Sequence, residues 1–368
     1  MTSSALTSAA HPLRVDVKDS NVDLRCRLAA ALNVTENEVE LEQSASDTRS
    51  VRCSGRVLRR EFFAKVLLAD PYPLNVVVPW KEAFSSSPEW RAAKEQIEFE
   101  WNRTLELRRT LIPSSIAQPL GRSLETTTLA WEKINGVPVL SLLLRGRVLD
   151  RSGMTAAAMF HAGAWLRTLH QKTAYDSELL DAKEILTFVL RVIQSQKPST
   201  YVQQARAIVQ EAIAKLGASR ISSAIALNHG DFTLANLMWD EHTEQISVVD
   251  FENAMPNGIW QDLSTMALSL RKQLLNPLVS GNQIREMEKA FWAGYGEVSP
   301  DLLSFVYALA ISRILVYYPN RVASRGERHG WIGAVTGSLY RSFLQGSMVS
   351  RSVQPWSMRA PIPSETER

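Results

Sequence analysis

Two short runs bring together residue types that can do chemistry. The first, HGDFTLAN, sets His229, Asp231 and Asn236 in the spacing H-x-D-x-x-x-x-N. The second, SVVDFE, ends an apolar run on Asp250. Carboxylate and amide oxygens are hard donors that suit magnesium, and a carboxylate also orients an attacking hydroxyl. Phosphoryl transfer from ATP asks for little more than metal held by oxygen, such a carboxylate, and a cation on the phosphates. A loop of this form supplies the carboxylate and one amide oxygen, and a strand-terminal aspartate supplies the main metal ligand. At average residue usage, H-G-D-x-x-x-x-N arises by chance in roughly one chain in a thousand of this length. That rarity, in a strand–turn–strand setting, favours a site over the plainer reading of Asp231 and Asp250 as loop caps beside core strands.

The elements that must position these residues can be read from apolar periodicity. VDLRCRLAAALNV is expected to be a short amphipathic helix, after a loose segment over 1–20. EVELEQ and the longer VRCSGRVLRREFFAKVLLAD read as strands, rich in β-branched and aromatic residues and separated by the polar SASDTRS. SSPEWRAAKEQIEFEWNRTLELRRTL begins with Ser87 as N-cap and Pro88 as first helical residue. Ala93, Ile97, Glu100, Thr104, Leu107 and Leu111 then share one stripe of that helix. ETTTLAWEKI is a further strand, closed by a Gly-Val-Pro break at 136–138.

Beyond the break the pattern is helical. TAAAMFHAGAWLRTLHQ, SELLDAKEILTFVLRVIQS and TYVQQARAIVQEAIAKLG are expected as helices in series. The short strands NLMWD and QISVVDF interrupt them around the two chemical runs, and helices resume through DLLSFVYALAISRILVYY. The expected architecture is α+β and two-lobed. A small β-rich lobe over 21–134 precedes a mostly helical lobe over 135–350, with a loose tail over 351–368.

Composition narrows the class of partner. The 368 residues are 45% hydrophobic and 21% charged with a net charge of +3, which is ordinary for a globular protein. Acids and bases are spread along the chain, so no nucleic-acid partner is expected. The two cysteines, Cys26 and Cys53, are too few for a disulfide scaffold or a tetrahedral zinc site. The first 20 residues hold no continuous apolar stretch, and the longest apolar run carries Ser312 and Arg313. Neither a signal peptide nor a membrane span is expected, and a cytoplasmic setting follows.

At this point the sequence resembles the aminoglycoside phosphotransferase and choline kinase family, which has the protein-kinase-like fold. The resemblance is specific in HGDFTLANLMWD and VVDFENAMPNGIWQDLS. It continues, in the family's order, through FFAKVLL, TLAWEKINGVPVLSLL and AGAWLRTLHQ. It implies Asp231 as catalytic base, Asn236 as a metal ligand and Asp250 as the principal Mg2+ ligand. His229 then steadies the loop by hydrogen bonding, and Asp262 tethers the loop through backbone N–H groups. His170 ends a core helix with a packing role.

In the first lobe, a lysine alternating with apolar neighbours in FFAKVLL would point out of the core face. The resemblance instead makes Lys65 the cation on the α- and β-phosphates of ATP, paired with a glutamate on the following helix. An unpaired carboxylate on the inward stripe would be costly, so Glu100 needs a cationic partner. That favours Glu100 over Glu95 and Glu98, with Glu82 in the intervening DPYPLNVVVPWKEAFSSS as the other candidate. Adenine would meet backbone groups near Glu132 and Ile134. No Gly-rich loop precedes Lys65; SASDTRS stands in its place. The metal motif reads Asp-Phe-Glu, leaving Glu252 either to brace the loop or to touch metal.

The acceptor is expected to be a small molecule with a hydroxyl. Arg313, Arg321, Arg325, Arg328, Arg341 and Arg351 face only Asp301 and Glu327 in that stretch. Such a balance suits a sugar, a glycan or an amino alcohol better than a polycationic aminoglycoside. YYPNRVASRGERHGW, with His329, mixes aromatics and arginines in the same sense. Two other readings stay in view: a non-catalytic nucleotide-binding module, and a protein kinase. Against the second, only FENAMPNGIWQ separates Asp250 from Asp262, too little for a peptide platform.

Overall fold

The computed structural model describes residues 17–46, 50–67, 88–149, 152–195, 200–217, 220–276 and 279–313. The chain divides into two compact units, Met1–Arg109 with Ala117–Ile134, and Thr110–Ile116 with Asn135–Arg368.

In the first unit, α1 (Val17–Leu32) leads into β1 (Val39–Ser46), β2 (Ser50–Val57) and β3 (Arg60–Leu67). The long helix α2 (Pro88–Thr110) follows, then β4 (Pro119–Ser123) and β5 (Thr128–Glu132). The strands form one antiparallel five-stranded sheet in the order β1-β2-β3-β5-β4. Successive side chains of a strand point to opposite faces, and β3 uses both. Phe62 and Ala64 pack with Leu28 and Ala29 of α1, and Val66 packs with Leu24. On the other face, Leu67, Leu129 and Trp131 pack with Ala93 and Ile97 of α2. All six residues of the α2 stripe are buried.

Several local readings change. α1 begins at Val17, so helix already occupies residues 17–20. VRCSGRVLRREFF is a hairpin broken at Leu58 and Arg59, whose φ values are 47° and 68°. A type I′ turn needs positive φ at both central residues, and without Asn or Gly it leaves no compositional mark. PLGRS forms β4, a strand with no run of β-branched residues to announce it.

The second unit holds α3 (Val139–Leu149), α4 (Ser152–Thr173), α5 (Ala182–Gln194), α6 (Thr200–Leu216), α7 (Trp260–Arg271) and α8 (Gly281–Tyr295). A further helix, α9, covers 300–313. Two three-stranded sheets accompany them. One is ordered β10 (Gln245–Val248), β9 (Leu237–Asp240), β6 (Val137–Pro138). The other is ordered β11 (Met255–Gly258), β8 (Arg220–Asn228), β7 (Asp176–Asp181). SELLD is therefore strand and not the first turn of a helix. The Asp181 side chain accepts from the Glu184 N–H at 2.9 Å, and that N-cap starts α5 after it.

Among the described residues no helix is long and apolar enough to cross a membrane. Glu82, residues 47–49 of SASDTRS, residues 314–350 with their arginines and His329, and the tail over 351–368 lie outside the described residues.

Candidate active site

The second unit carries the two chemical runs on connections between strands. β8 delivers the chain to His229, the segment 229–236 crosses to β9, and β10 ends just before Asp250. His229 is wholly buried. Its Nδ1 accepts from the Asp231 N–H at 3.2 Å, which puts the ring proton on Nε2, and Nε2 donates to the Val249 carbonyl at 3.0 Å. One ring thus ties the loop bearing Asp231 to the residue beside Asp250. The Val249 N–H adds a bond to the Asn236 carbonyl at 3.1 Å.

Gly230 completes this junction. Its φ is 82°, and a Cβ there would lie 2.2 Å from the Asn253 carbonyl oxygen. Glycine alone tolerates both the left-handed backbone and the close approach. Asp262, on the first turn of α7, has no exposure. Its carboxylate accepts from the His229 N–H at 2.7 Å and the Gly230 N–H at 2.9 Å. Farther along, the Leu234 N–H donates to Ser269 Oγ at 3.0 Å. Phe232 is fully buried and stacks on Trp165, with ring centroids 5.8 Å apart.

Asn236 donates from Nδ2 to the Asp231 carbonyl at 2.9 Å and to Asp231 Oδ2 at 3.0 Å. With its nitrogen engaged twice, the amide has its oxygen as the atom that could meet a cation. Burial pushes the Asp231 carboxyl above the usual aspartate range. His229 and the Asn236 hydrogen bond oppose that rise, the Asp250 charge adds to it, and Lys272 opposes it. Asp250 has φ 70°. A β-carboxylate residue held in the left-handed region is a strained position of the kind that functional sites retain. Glu252 accepts from Asn253 Nδ2 at 3.4 Å, a long contact that leaves both of its expected roles open.

Taken by itself, the first unit buries a charge pair. Lys65 Nζ lies 3.5 Å from Glu100 Oε2, with side-chain exposures of 5% and 2%. The outward-facing strand lysine expected from alternation is not what β3 makes: Lys65 shares the α2-covered face with Leu67. Glu95 and Glu98 are exposed. The Glu132 N–H donates to the Gln118 carbonyl at 2.8 Å, and the Lys133 N–H to Glu61 at 3.0 Å. The Glu132 N–H is thus engaged within the sheet; Ile134 is partly buried.

The profile of the phosphotransferase enzyme family matches residues 53–301. The chain belongs to that family. It is a small-molecule phosphotransferase acting on a hydroxyl group. Among solved structures, macrolide 2'-phosphotransferase type I is similar, at 13% identity and a TM-score of 0.51. The alignment covers 88% of this chain and 96% of that one. Amicoumacin kinase hAmiN, solved in complex with AMP-PNP, Ca2+ and Ami, aligns at 14% identity and a TM-score of 0.50. It covers 89% of this chain and 95% of that one. A search of curated proteins returned no match. These likenesses show the fold, the α+β protein-kinase-like arrangement of a β-rich and a mostly helical part.

Two polar residues of this phosphotransferase were not singled out in the sequence, Ser269 and Tyr295. Ser269 holds the loop at Leu234, and Tyr295 meets His170. Lys272, whose charge reaches Asp231, was also missed. Each sits on or beside a helix remote in sequence from the loop it serves, so no local spacing marks it.

Proposed function

We propose that the chain is a kinase using ATP and Mg2+ to phosphorylate a hydroxyl of a small molecule. The observation that carries this reading is the Asp231–Asn236 hydrogen-bonded pair, with Asp250 near enough for its charge to raise the Asp231 carboxyl. Asp231 acts as the base, accepting the proton of the acceptor hydroxyl. Burial makes its carboxylate more basic than an ordinary aspartate, which suits that task.

The donor set fits a hard divalent cation: the Asp250 carboxylate and the Asn236 amide oxygen, with no sulfur among them. When bound, Mg2+ supplies charge that offsets the phosphate oxygens. Lys65, paired with Glu100, holds the α- and β-phosphates. The Glu132 carbonyl and Ile134 N–H meet the adenine edge. His229 and Asp262 hold the Asp231 loop in register. In these terms residues 21–134 serve the nucleotide and residues 135–350 carry the base, the metal ligands and the acceptor. Dependence on ATP supports a cytoplasmic setting.

For the acceptor, a sugar, a glycan or an amino alcohol is preferred over a polycationic aminoglycoside. The support is the arginine-rich sequence after residue 312, of which only the exposed Arg313 is among the described residues. The names of the two structural relatives put macrolides and amicoumacin on the list of acceptors to try.

The test is turnover by the full-length protein with ATP and Mg2+ over sugars, amino alcohols, aminoglycosides and those antibiotics. Transfer to a neutral or singly charged alcohol, lost in Asp231→Asn, is the expected result. Transfer to aminoglycosides alone would make it an aminoglycoside kinase. Thermal stabilisation by nucleotide without any transfer would make it a non-catalytic binding module.

A further inference from the structure

Behind the loop that carries Asp231 runs a line of buried polar side chains reaching to the end of α8. Tyr295 Oη lies 2.9 Å from His170 Nδ1, and His170 Nε2 lies 3.4 Å from Asp262 Oδ2. Asp262 in turn accepts from the His229 and Gly230 N–H groups. His170, Asp262 and Tyr295 are all buried, so each polar atom must find its partner inside the protein.

The geometry assigns the protons along this line. Burial pushes the Tyr295 phenol above its ordinary range, the Asp262 charge adds to that, and Arg167 opposes it, so the hydroxyl keeps its hydrogen. Asp262, already taking two backbone N–H groups, is an acceptor. With Nε2 facing a carboxylate that can only accept, the satisfactory tautomer places the hydrogen on Nε2, and Nδ1 accepts from Tyr295. The opposite tautomer would set a ring lone pair against the Asp262 carboxylate, which can only accept.

Close packing of α4 against α8 brings the tyrosine there. A Cβ on Gly163 would lie 2.2 Å from the Phe291 carbonyl oxygen and 2.7 Å from the Tyr295 nitrogen. A Cβ on Gly294 would lie 1.9 Å from the Phe160 carbonyl oxygen. The two helices thus touch backbone to backbone, and only glycine permits it. Phe291 stacks on the Tyr295 ring at 6.1 Å between centroids, which fixes the direction of the hydroxyl.

We infer that Tyr295 is a positioning residue for the catalytic loop: its hydroxyl donates to Nδ1 of His170 and holds the ring so that Nε2–H meets the Asp262 carboxylate that holds His229 and Gly230. The consequence for catalysis rests on Asp231 being the base; the hydrogen bond from Tyr295 to His170 does not.

The experiment is ring nitrogen NMR on the full-length protein with 15N-labelled histidine, the His170 signals assigned with His170→Gln. The wild-type ring should show a single Nε2–H tautomer. In Tyr295→Phe the ring should keep the Nε2–H tautomer, and its Nδ1 signal should move to higher frequency as the hydrogen bond from the hydroxyl is lost. Mg2+-dependent hydrolysis of ATP, with water as acceptor, should then lose about tenfold in kcat, the scale of one buried hydrogen bond, with KM for ATP little changed. A wild-type ring protonated on Nδ1 would overturn the inference, and needs no variant to detect. So would identical His170 spectra in wild type and Tyr295→Phe, or a change confined to KM. Absence of hydrolysis in the wild type would count against the kinase reading, while the ring spectra still decide the role of Tyr295.

Discussion

Lys65 of β3 and Glu100 of α2 meet at 3.5 Å on a sheet face otherwise lined by Leu67, Leu129 and Trp131. Neither charge could stay there alone, because a buried ion without its partner costs several kcal/mol while the pair compensates itself. The α2 stripe is what delivers the carboxylate: Glu100 follows Ala93 and Ile97 at helical spacing and points into the sheet with them.

Breaking that pair has a separable effect on stability and function. Glu100→Leu should lower unfolding free energy by about 3–5 kcal/mol, because Lys65 is left buried and uncompensated. Adding Lys65→Met should recover most of that loss, since a well-packed apolar pair is often as stable as a buried ion pair. Urea unfolding of both proteins checks this, and a double variant as unstable as the single one would refute it. The double variant should still lack phosphotransfer.

Asp231→Asn should abolish phosphotransfer, a fall of about 10²–10⁴-fold for loss of a general base. It should not cost stability. Burial disfavours the charged carboxylate, and asparagine keeps an acceptor oxygen for Asn236 without the charge. A melting temperature equal to or above wild type, together with lost turnover, is expected. A folded but fully active variant would remove Asp231 from the base role.

Glu288 of α8 sets a pH dependence of stability. Burial raises its carboxyl from 4.5 to about 7, opposed by its charge pairing with Arg271. The folded state therefore keeps a proton that the unfolded state releases above its own, lower pKa. The contribution is fully present below about 4.5 and is lost as pH rises through about 7. Urea midpoints measured across that window should fall more steeply with pH in wild type than in Glu288→Gln. Equal slopes would show that Glu288 is ionised throughout.

The β2–β3 hairpin offers a stabilising change. Leu58 and Arg59 hold φ values of 47° and 68°, and Leu58 is 64% exposed. Replacing them with Asn-Gly, which adopt this backbone without strain, should raise stability by about 1 kcal/mol. A thermal or urea melt reads the change. No gain, or a loss, would mean the present side chains contribute contacts that outweigh the turn strain.

What lay within a few residues could be read from the chain alone. The spacing of His229, Asp231 and Asn236 is a property of one loop, and β9 and β10 beside it carry strong strand composition. The α2 stripe repeats at a helical period that no partner has to supply. Family membership followed from the same local runs. β4, β7 and the Leu58–Arg59 turn were lost because weak local preference was overridden by pairing with strands distant in sequence. The same holds for the burial of Lys65, where alternation marks two faces of a strand but not that helices cover both. The line from Tyr295 through His170 to Asp262 exists only because Gly163 and Gly294 let two helices close to backbone contact. Hydrogen bonds between side chains on separate elements depend on how the chain packs, and packing is a sum over distant contacts that no short window of residues contains.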